Sequence, residues 1–174
     1  MKFFNYIRLI RQDYASRYSK QATFLGIIKA YILDINFRVV VRFRIQSYFS
    51  NKNKLTLLFA ILIRNGSIKK YGVEIGLNTK IEGGLNIHHV NGIVIGEGVI
   101  IGKNLNIFQQ VTIGKKESGY PVIGDDVTIY PGAKVIGNIK IGNNSIIGAN
   151  SVVNKDVAEG KVVAGVPARD ISKK

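Results

Sequence analysis

The stretch IGEGVIIGKNLNIFQQVTIG, residues 95–114, decides the fold. Ile95, Ile101, Ile107 and Ile113 recur every six positions, and Val99, Leu105 and Val111 stand four positions after the first three. Neither the 3.6-residue period of a helix nor the two-residue period of a strand gives this spacing. The same phase extends in both directions. Ile75, Ile81 and Ile87 precede the stretch, and Ile123, Ile129, Val135, Ile141, Ile147 and Val153 follow it. Their fourth positions, among them Thr79, Leu85, Val127, Ala133, Ile139, Ser145 and Ser151, are small or apolar. A six-residue period sustained over thirteen anchors predicts a parallel β-helix. Each hexad supplies one short strand and one turn, and three hexads make a triangular coil. The anchors point inward, and stacking buries them in a continuous column. Gly follows the anchor at 76, 96, 102, 114, 124, 142 and 148. Gly and Asn at the turns are expected to relieve the cost of positive φ.

The period breaks twice. Ile87 to Ile95 spans eight residues, which puts two extra residues near His88–Gly92. Ile113 to Ile123 spans ten, which puts four extra in the polar segment Lys115–Tyr120. Segments expelled from a rigid scaffold are where functional side chains collect.

Residues 1–70 have a different texture. Phe3, Phe4, Ile7, Leu9, Ile10 and Tyr14 follow a helical spacing. Further apolar stretches run over Phe24–Ile35, Phe37–Phe49 and Leu55–Ile63, with a turn expected at Asn51–Lys54. Arg38–Arg44 is rich in β-branched residues but is read as helix alongside its neighbours. The chain thus divides into a basic helical region, 1–70, and a β-helix domain with its tail, 71–174; the fold class is mainly β. Residues 1–72 hold 14 Lys and Arg against 2 Asp and Glu, so +12 of the net +14 lies there. This patch suits an anionic membrane surface, a phosphorylated or acidic substrate or nucleic acid, or is a solvated face without a partner. The longest apolar run, Leu55–Ile63, is about half the ~20 residues of a spanning helix. Charges within the first apolar stretch argue against a secretory signal. A cytoplasmic protein is expected, with residues 1–70 able to lie against the inner face of the membrane. The sequence has no cysteine and two histidines, so no metal site is expected. No nucleotide-binding loop or nucleic-acid module is present, and no nucleic-acid partner is expected.

His89, NGIVIGE at 91–97, QQVTIG at 109–114, VIGDDV at 122–127, PGAKVIGN at 131–138, IGANSVV at 147–153 and AGVPAR at 164–169 resemble the serine acetyltransferase branch of the hexapeptide-repeat acyltransferases. The leader looks more like that of polysaccharide O-acetyltransferases than like the long helical domain of serine acetyltransferases. The resemblance implies a left-handed coil, a homotrimer, and acetyl-CoA as acyl donor in a groove between prisms. It implies direct attack by an acceptor hydroxyl, with His89 as general base.

A hydroxyl needs a base to take its proton as it attacks a thioester, and histidine titrates near neutral pH. By the resemblance Glu74, fifteen positions earlier, would orient His89 by stacking beneath it. Small residues at Gly114, Gly132, Ala133, Gly148 and Ala149 would let pantetheine approach the backbone. Lys115 and Lys134, with Lys173 and Lys174, would meet phosphates, and Pro167 lies at the chain exit near the adenine. His88 stands where serine acetyltransferases carry an Asp that helps hold the amino acid, and Gly119-Tyr120 replace an Arg-His pair before Pro121. These departures favour a sugar hydroxyl as acceptor, in cell-surface polysaccharide synthesis, with His88, Tyr120 and Gln109 as acceptor contacts. The alternatives are serine O-acetylation in cysteine biosynthesis and a non-catalytic trimeric scaffold at a membrane.

Overall fold

The computed structural model describes residues 3–50, 52–117 and 119–172, which form four helices and fifteen strands. The helices are α1 (Phe3–Tyr18), α2 (Phe24–Leu33), α3 (Ile35–Ser50) and α4 (Lys54–Tyr71). Arg38–Arg44 is helical within α3, where Val39, Val40 and Phe43 are buried. At the predicted turn, of which Asn51 lies outside the described residues, Asn53 caps α4 reciprocally. Its side chain accepts from the Thr56 N–H at 2.9 Å, and the Thr56 hydroxyl accepts from the Asn53 N–H at 3.1 Å. Gly72 ends α4 at φ 61, where a side chain would be strained, and turns the chain into the solenoid.

Three parallel faces make up the solenoid. The first stacks β1 (Val73–Ile75), β4 (Ile93–Ile95), β7 (Thr112–Gly114), β10 (Lys134–Ile136) and β13 (Val152–Val153). The second stacks β2 (Lys80–Ile81), β5 (Ile100–Ile101), β8 (Val122–Ile123) and β11 (Lys140–Ile141). The third stacks β3 (Asn86–Ile87), β6 (Asn106–Ile107), β9 (Thr128–Ile129), β12 (Ile146–Ile147) and β14 (Val162–Gly165). The antiparallel β15 (Ala168–Asp170) closes it. All thirteen anchors are at most 6% exposed, and the fourth positions are buried with them. Burying one such aliphatic side chain stabilises the fold by roughly 1.5–3 kcal/mol, so the column is the core of the molecule.

The glycines after the anchors serve a different purpose from the one expected. None of Gly76, Gly96, Gly102, Gly114, Gly124, Gly142 or Gly148 has positive φ. At several of them a Cβ would strike the neighbouring coil: at Gly76 it would come 2.7 Å from the Glu97 nitrogen, at Gly124 2.9 Å from that of Asn143. Close stacking of backbones excludes the side chain there. Positive φ recurs in two other columns, Gly92, Gln110, Gly132 and Asn150 at one corner and Gly84, Asn104, Asp126, Asn144 and Gly160 at another. Asn and Asp tolerate this conformation better than most side-chain-bearing residues.

A solenoid exposes an apolar end unless something caps it. Here α3 and α4 cover the first coil: Val39, Val40, Phe43 and Tyr71 join the same buried cluster as the anchors. Polar clamps fix the cap. Arg44, 2% exposed, forks onto the fully buried Asp13 of α1 at 2.8 and 2.9 Å and donates to the Ile81 and Glu82 carbonyls at 2.5 and 2.7 Å. Asp13 also accepts from the Gly84 and Leu85 N–H groups, both at 2.9 Å. Every strong donor and acceptor around this charge pair is therefore engaged. The outer sides of α2 and α4 remain apolar and exposed, with Phe24 and Leu25 at 77% and Leu55 at 70%. Among the described residues no helix is long and apolar enough to cross a membrane.

Candidate active site

Strand register locates the extra residues. Asn86 pairs with Asn106, twenty positions on, whereas Val94 pairs with Thr112, eighteen on. His88 stacks on Phe108 at 4.2 Å between centroids and 3° between planes, so it still keeps the twenty-residue offset. Beyond the corner, Gln110 N–H donates to the Asn91 carbonyl at 3.0 Å, just as Gly132 N–H donates to Gln109 and Asn150 N–H to Pro131. Asn91 therefore lies under Gln109, and the two surplus residues are His89 and Val90. The scaffold expels the residue expected to act as base.

The bulge is held on both sides. Val90 packs against the core, and its N–H donates to Asn36 Oδ1 of α3 at 3.0 Å. His89 between them is exposed, its ring 6.3 Å from that of Phe108. Above the histidines the edge continues as stacked rings, Tyr130 on Phe108 at 5.2 Å. Gln109 occupies the next coil at this corner, with a buried Oε1 that has no hydrogen-bond partner among the described residues. Gln109 was expected to contact the acceptor; its Oε1 is shielded from solvent.

The other side of the histidines is anchored to the helices. Arg17 of α1 donates to Asp34 at 2.5 and 3.2 Å, to Asn86 Oδ1 at 2.9 Å and to the Ile87 carbonyl at 2.8 Å. Asp34 links α2 to α3 and accepts from the Tyr18 hydroxyl at 2.7 Å and from the Asn36 and Phe37 N–H groups. Burial pushes the Asp34 carboxyl up, but hydrogen bonds from Tyr18, Arg17 and Phe37 and the Arg17 charge outweigh it and hold the group below its ordinary value. Burial and the bond to Asp34 push the Tyr18 hydroxyl up to about 12. These helical residues carried no motif. Only the presence of Arg17, Asp34 and Asn36 near helix ends hinted at them.

The remaining expected site residues divide. Glu74 does not stack beneath His89: it pairs in register with Val94, because the first coil is twenty residues long and Glu74 lies on a flat face rather than at the corner. Among the described residues no hydrogen bond joins Glu74 to His89. Ala133 is wholly buried in the prism, and its N–H and carbonyl are taken by Tyr130 and Thr112. It offers nothing to a ligand outside. Gly132 (φ 76) is required by its turn, and Gly148 by Ala164, whose Cβ would lie 2.9 Å from an added Cβ. Both, with the exposed Ala149, still line the histidine corner. Lys134 Nζ reaches the Gln110 carbonyl at 2.5 Å on the same side.

Gly114, Lys115 and Tyr120 lie at the opposite end of the first face. Its three-residue strands put roughly 10 Å between the two corners. Tyr120 lies on Gly96 and Gly98, where an added Cβ at Gly96 would come 2.8 Å from its ring, and Lys115 Nζ sits 6.0 Å from that ring's centroid. This packing accounts for Tyr120 without a ligand. The expelled loop closes on itself through Lys116 and Gly119, at 3.2 and 3.0 Å. Pro167 is exposed in the turn between β14 and β15. Lys173 and Lys174 lie outside the described residues. Among the described residues no group of three His, Cys, Asp or Glu could hold a metal ion.

The six-residue solenoid meets its counterpart in known proteins. A family described as "Bacterial transferase hexapeptide (six repeats)" matches residues 120–155. A solved serine acetyltransferase in complex with CoA superposes with a TM-score of 0.84 at 32% identity, covering 97% of this chain and 71% of that one. The chain belongs to the hexapeptide-repeat transferases. This transferase is also 33% identical to a putative serine acetyltransferase of Schizosaccharomyces pombe over 95% of its own length and 62% of the relative. Against the Haemophilus influenzae serine acetyltransferase it is 40% identical over 78% of its length and 52% of the relative. The chain thus spans about half to three-fifths of these relatives. The leader of the transferase was expected to depart from the serine acetyltransferase helices. Coverage of 97% corrects this, since the superposition includes α1–α4. The likeness was missed because helical packing keeps its geometry while apolar residues exchange freely.

Proposed function

We propose that the transferase moves an acetyl group from acetyl-CoA to the hydroxyl of L-serine. The observation that carries this is the placement of His89, exposed on a two-residue bulge whose flanks are fixed. The serine acetyltransferase likeness over the whole chain supports serine over the sugar acceptor that the sequence favoured. In the reaction the acceptor oxygen attacks the thioester carbonyl carbon while His89 takes the hydroxyl proton. The carbon–sulfur bond then breaks, and the departing thiolate regains that proton from the imidazolium. The ester and free CoA are the products. Gln109 Oε1, one coil above, accepts a hydrogen bond from the acceptor or the pantetheine amides. Gly114 and Lys115 lie at the opposite corner of the first face from His89. A homotrimer, in which a neighbour's far corner faces the histidine edge, removes that separation.

One observation favours a second reading. His88, Phe108 and Tyr130 stack face to face in a column beside His89, an aromatic edge against which the apolar side of a sugar packs. Thiol release from acetyl-CoA, followed across L-serine and nucleotide- and lipid-linked sugars, separates the readings. Turnover with serine alone is expected. Turnover with a sugar alone would move the transferase to polysaccharide acetylation. Silence throughout, with no CoA binding, would leave a scaffold.

The exposed apolar residues of α2 and α4, set among the cations of residues 1–72, support contact with an anionic bilayer. Sedimentation with phosphatidylserine vesicles is expected at low salt and should fall as salt screens the charges. Equal sedimentation with neutral vesicles would remove the electrostatic part of this reading.

A further inference from the structure

We infer that Arg17 is a positioning residue that fixes the tautomer of His88. Through it, His88 presents a bare Nδ1 to the acceptor. The inference rests on the reading of the histidine edge as the acetyl-transfer site.

The argument follows donors and acceptors outward from Arg17. A guanidinium has only donors. The Asn86 atom 2.9 Å from Arg17 Nη1 is therefore its oxygen, and Asn86 Nδ2 must face the other way. There it lies 3.1 Å from Asn106 Oδ1 and 3.2 Å from His88 Nε2. Asn106 is oriented in turn by its own Nδ2, which donates to the Asn104 carbonyl at 3.3 Å, so its oxygen faces the cluster. His88 Nε2 lies 3.0 Å from that oxygen. An oxygen lone pair facing a bare ring nitrogen at this distance is repulsive. With the proton on Nε2 the contact becomes a hydrogen bond, and Asn86 Nδ2 donates to the same oxygen. The neutral His88 ring then carries its lone pair on Nδ1.

Arg17 is itself locked by Asp34 and by the Ile87 carbonyl, and His88 is pressed flat on Phe108. Asn86 cannot flip without breaking its charge-assisted bond to Arg17, and a flip of the ring would break the His88–Asn106 bond. The consequence concerns specificity. The acceptor group that meets His88 is a hydrogen-bond donor, an ammonium or a second hydroxyl, and not a carboxylate.

The test uses the full chain labelled with 15N-histidine. With two histidines in the sequence, His89→Ala assigns both rings. The wild-type His88 spectrum is expected to show a protonated Nε2 and a bare Nδ1. Arg17→Met and Asn86→Leu should each give a mixture of tautomers. Arg17→Met should also raise the acceptor KM by the inverse of the fraction of His88 left in the competent tautomer, about twofold for an even mixture, with the acetyl-CoA KM unchanged. A wild-type His88 protonated on Nδ1 would overturn the inference, as would an unchanged tautomer in both variants. If Arg17→Met does not fold, the wild-type spectrum and Asn86→Leu still decide. A wild type that acetylates no acceptor yet shows the expected tautomer would sink the functional reading and leave the Arg17 relay standing.

Discussion

His89→Ala lowers the turnover of acetyl-CoA with L-serine by about 10²- to 10⁴-fold, the range that a positioned acid–base group contributes. The loss falls on kcat, because the imidazole acts on a proton in flight and holds neither substrate in the ground state. Thiol release at saturating substrate measures it. The fold should not change: His89 is exposed, makes no hydrogen bond among the described residues, and lies outside the stacking register. The thermal midpoint should therefore match wild type. An unaltered kcat would remove His89 from the chemistry.

Asp13→Ala has the largest expected effect on stability, about 3–5 kcal/mol, because it strands Arg44 as a buried charge. Arg44 is 2% exposed and its guanidinium faces Asp13 and two carbonyls, so water cannot readily replace the carboxylate. The Gly84 and Leu85 N–H groups lose their acceptor in the same step. Urea unfolding should show the free energy of unfolding lowered by that amount. The double variant Asp13→Leu with Arg44→Met should recover part of the loss, since an apolar pair of similar volume needs no compensation. A free energy of unfolding within about 0.5 kcal/mol of wild type for Asp13→Ala would show that the clamp does not hold the cap.

The solenoid was legible because its geometry forces a period on the sequence. Each anchor from Ile75 to Val153 faces the same interior, and each fourth position is buried near a corner. The two insertions were legible as arithmetic, and one of them isolated His89. What escaped was everything that depends on contacts across long separations. Arg17, held by Asp34, and Asn36 reach residues 86–90 from the helices, and no periodicity announces pairings 54 to 70 positions apart. Glu74 was misplaced because a count of fifteen residues says nothing about which face a residue occupies. Ala133 was misplaced because smallness suits both an interior corner and a ligand groove, and burial alone separates them.

His89 and Val90 are surplus to the coil, and this makes the reactive position independent of the repeat that carries it. The strands below and above the bulge pair as they would without it, so the solenoid places no demand on the side chain at position 89. A solenoid can therefore lengthen, shorten or re-dress such an excursion while every rung stays closed. Chemistry and architecture occupy different letters of the same sequence, and change in one leaves the other intact.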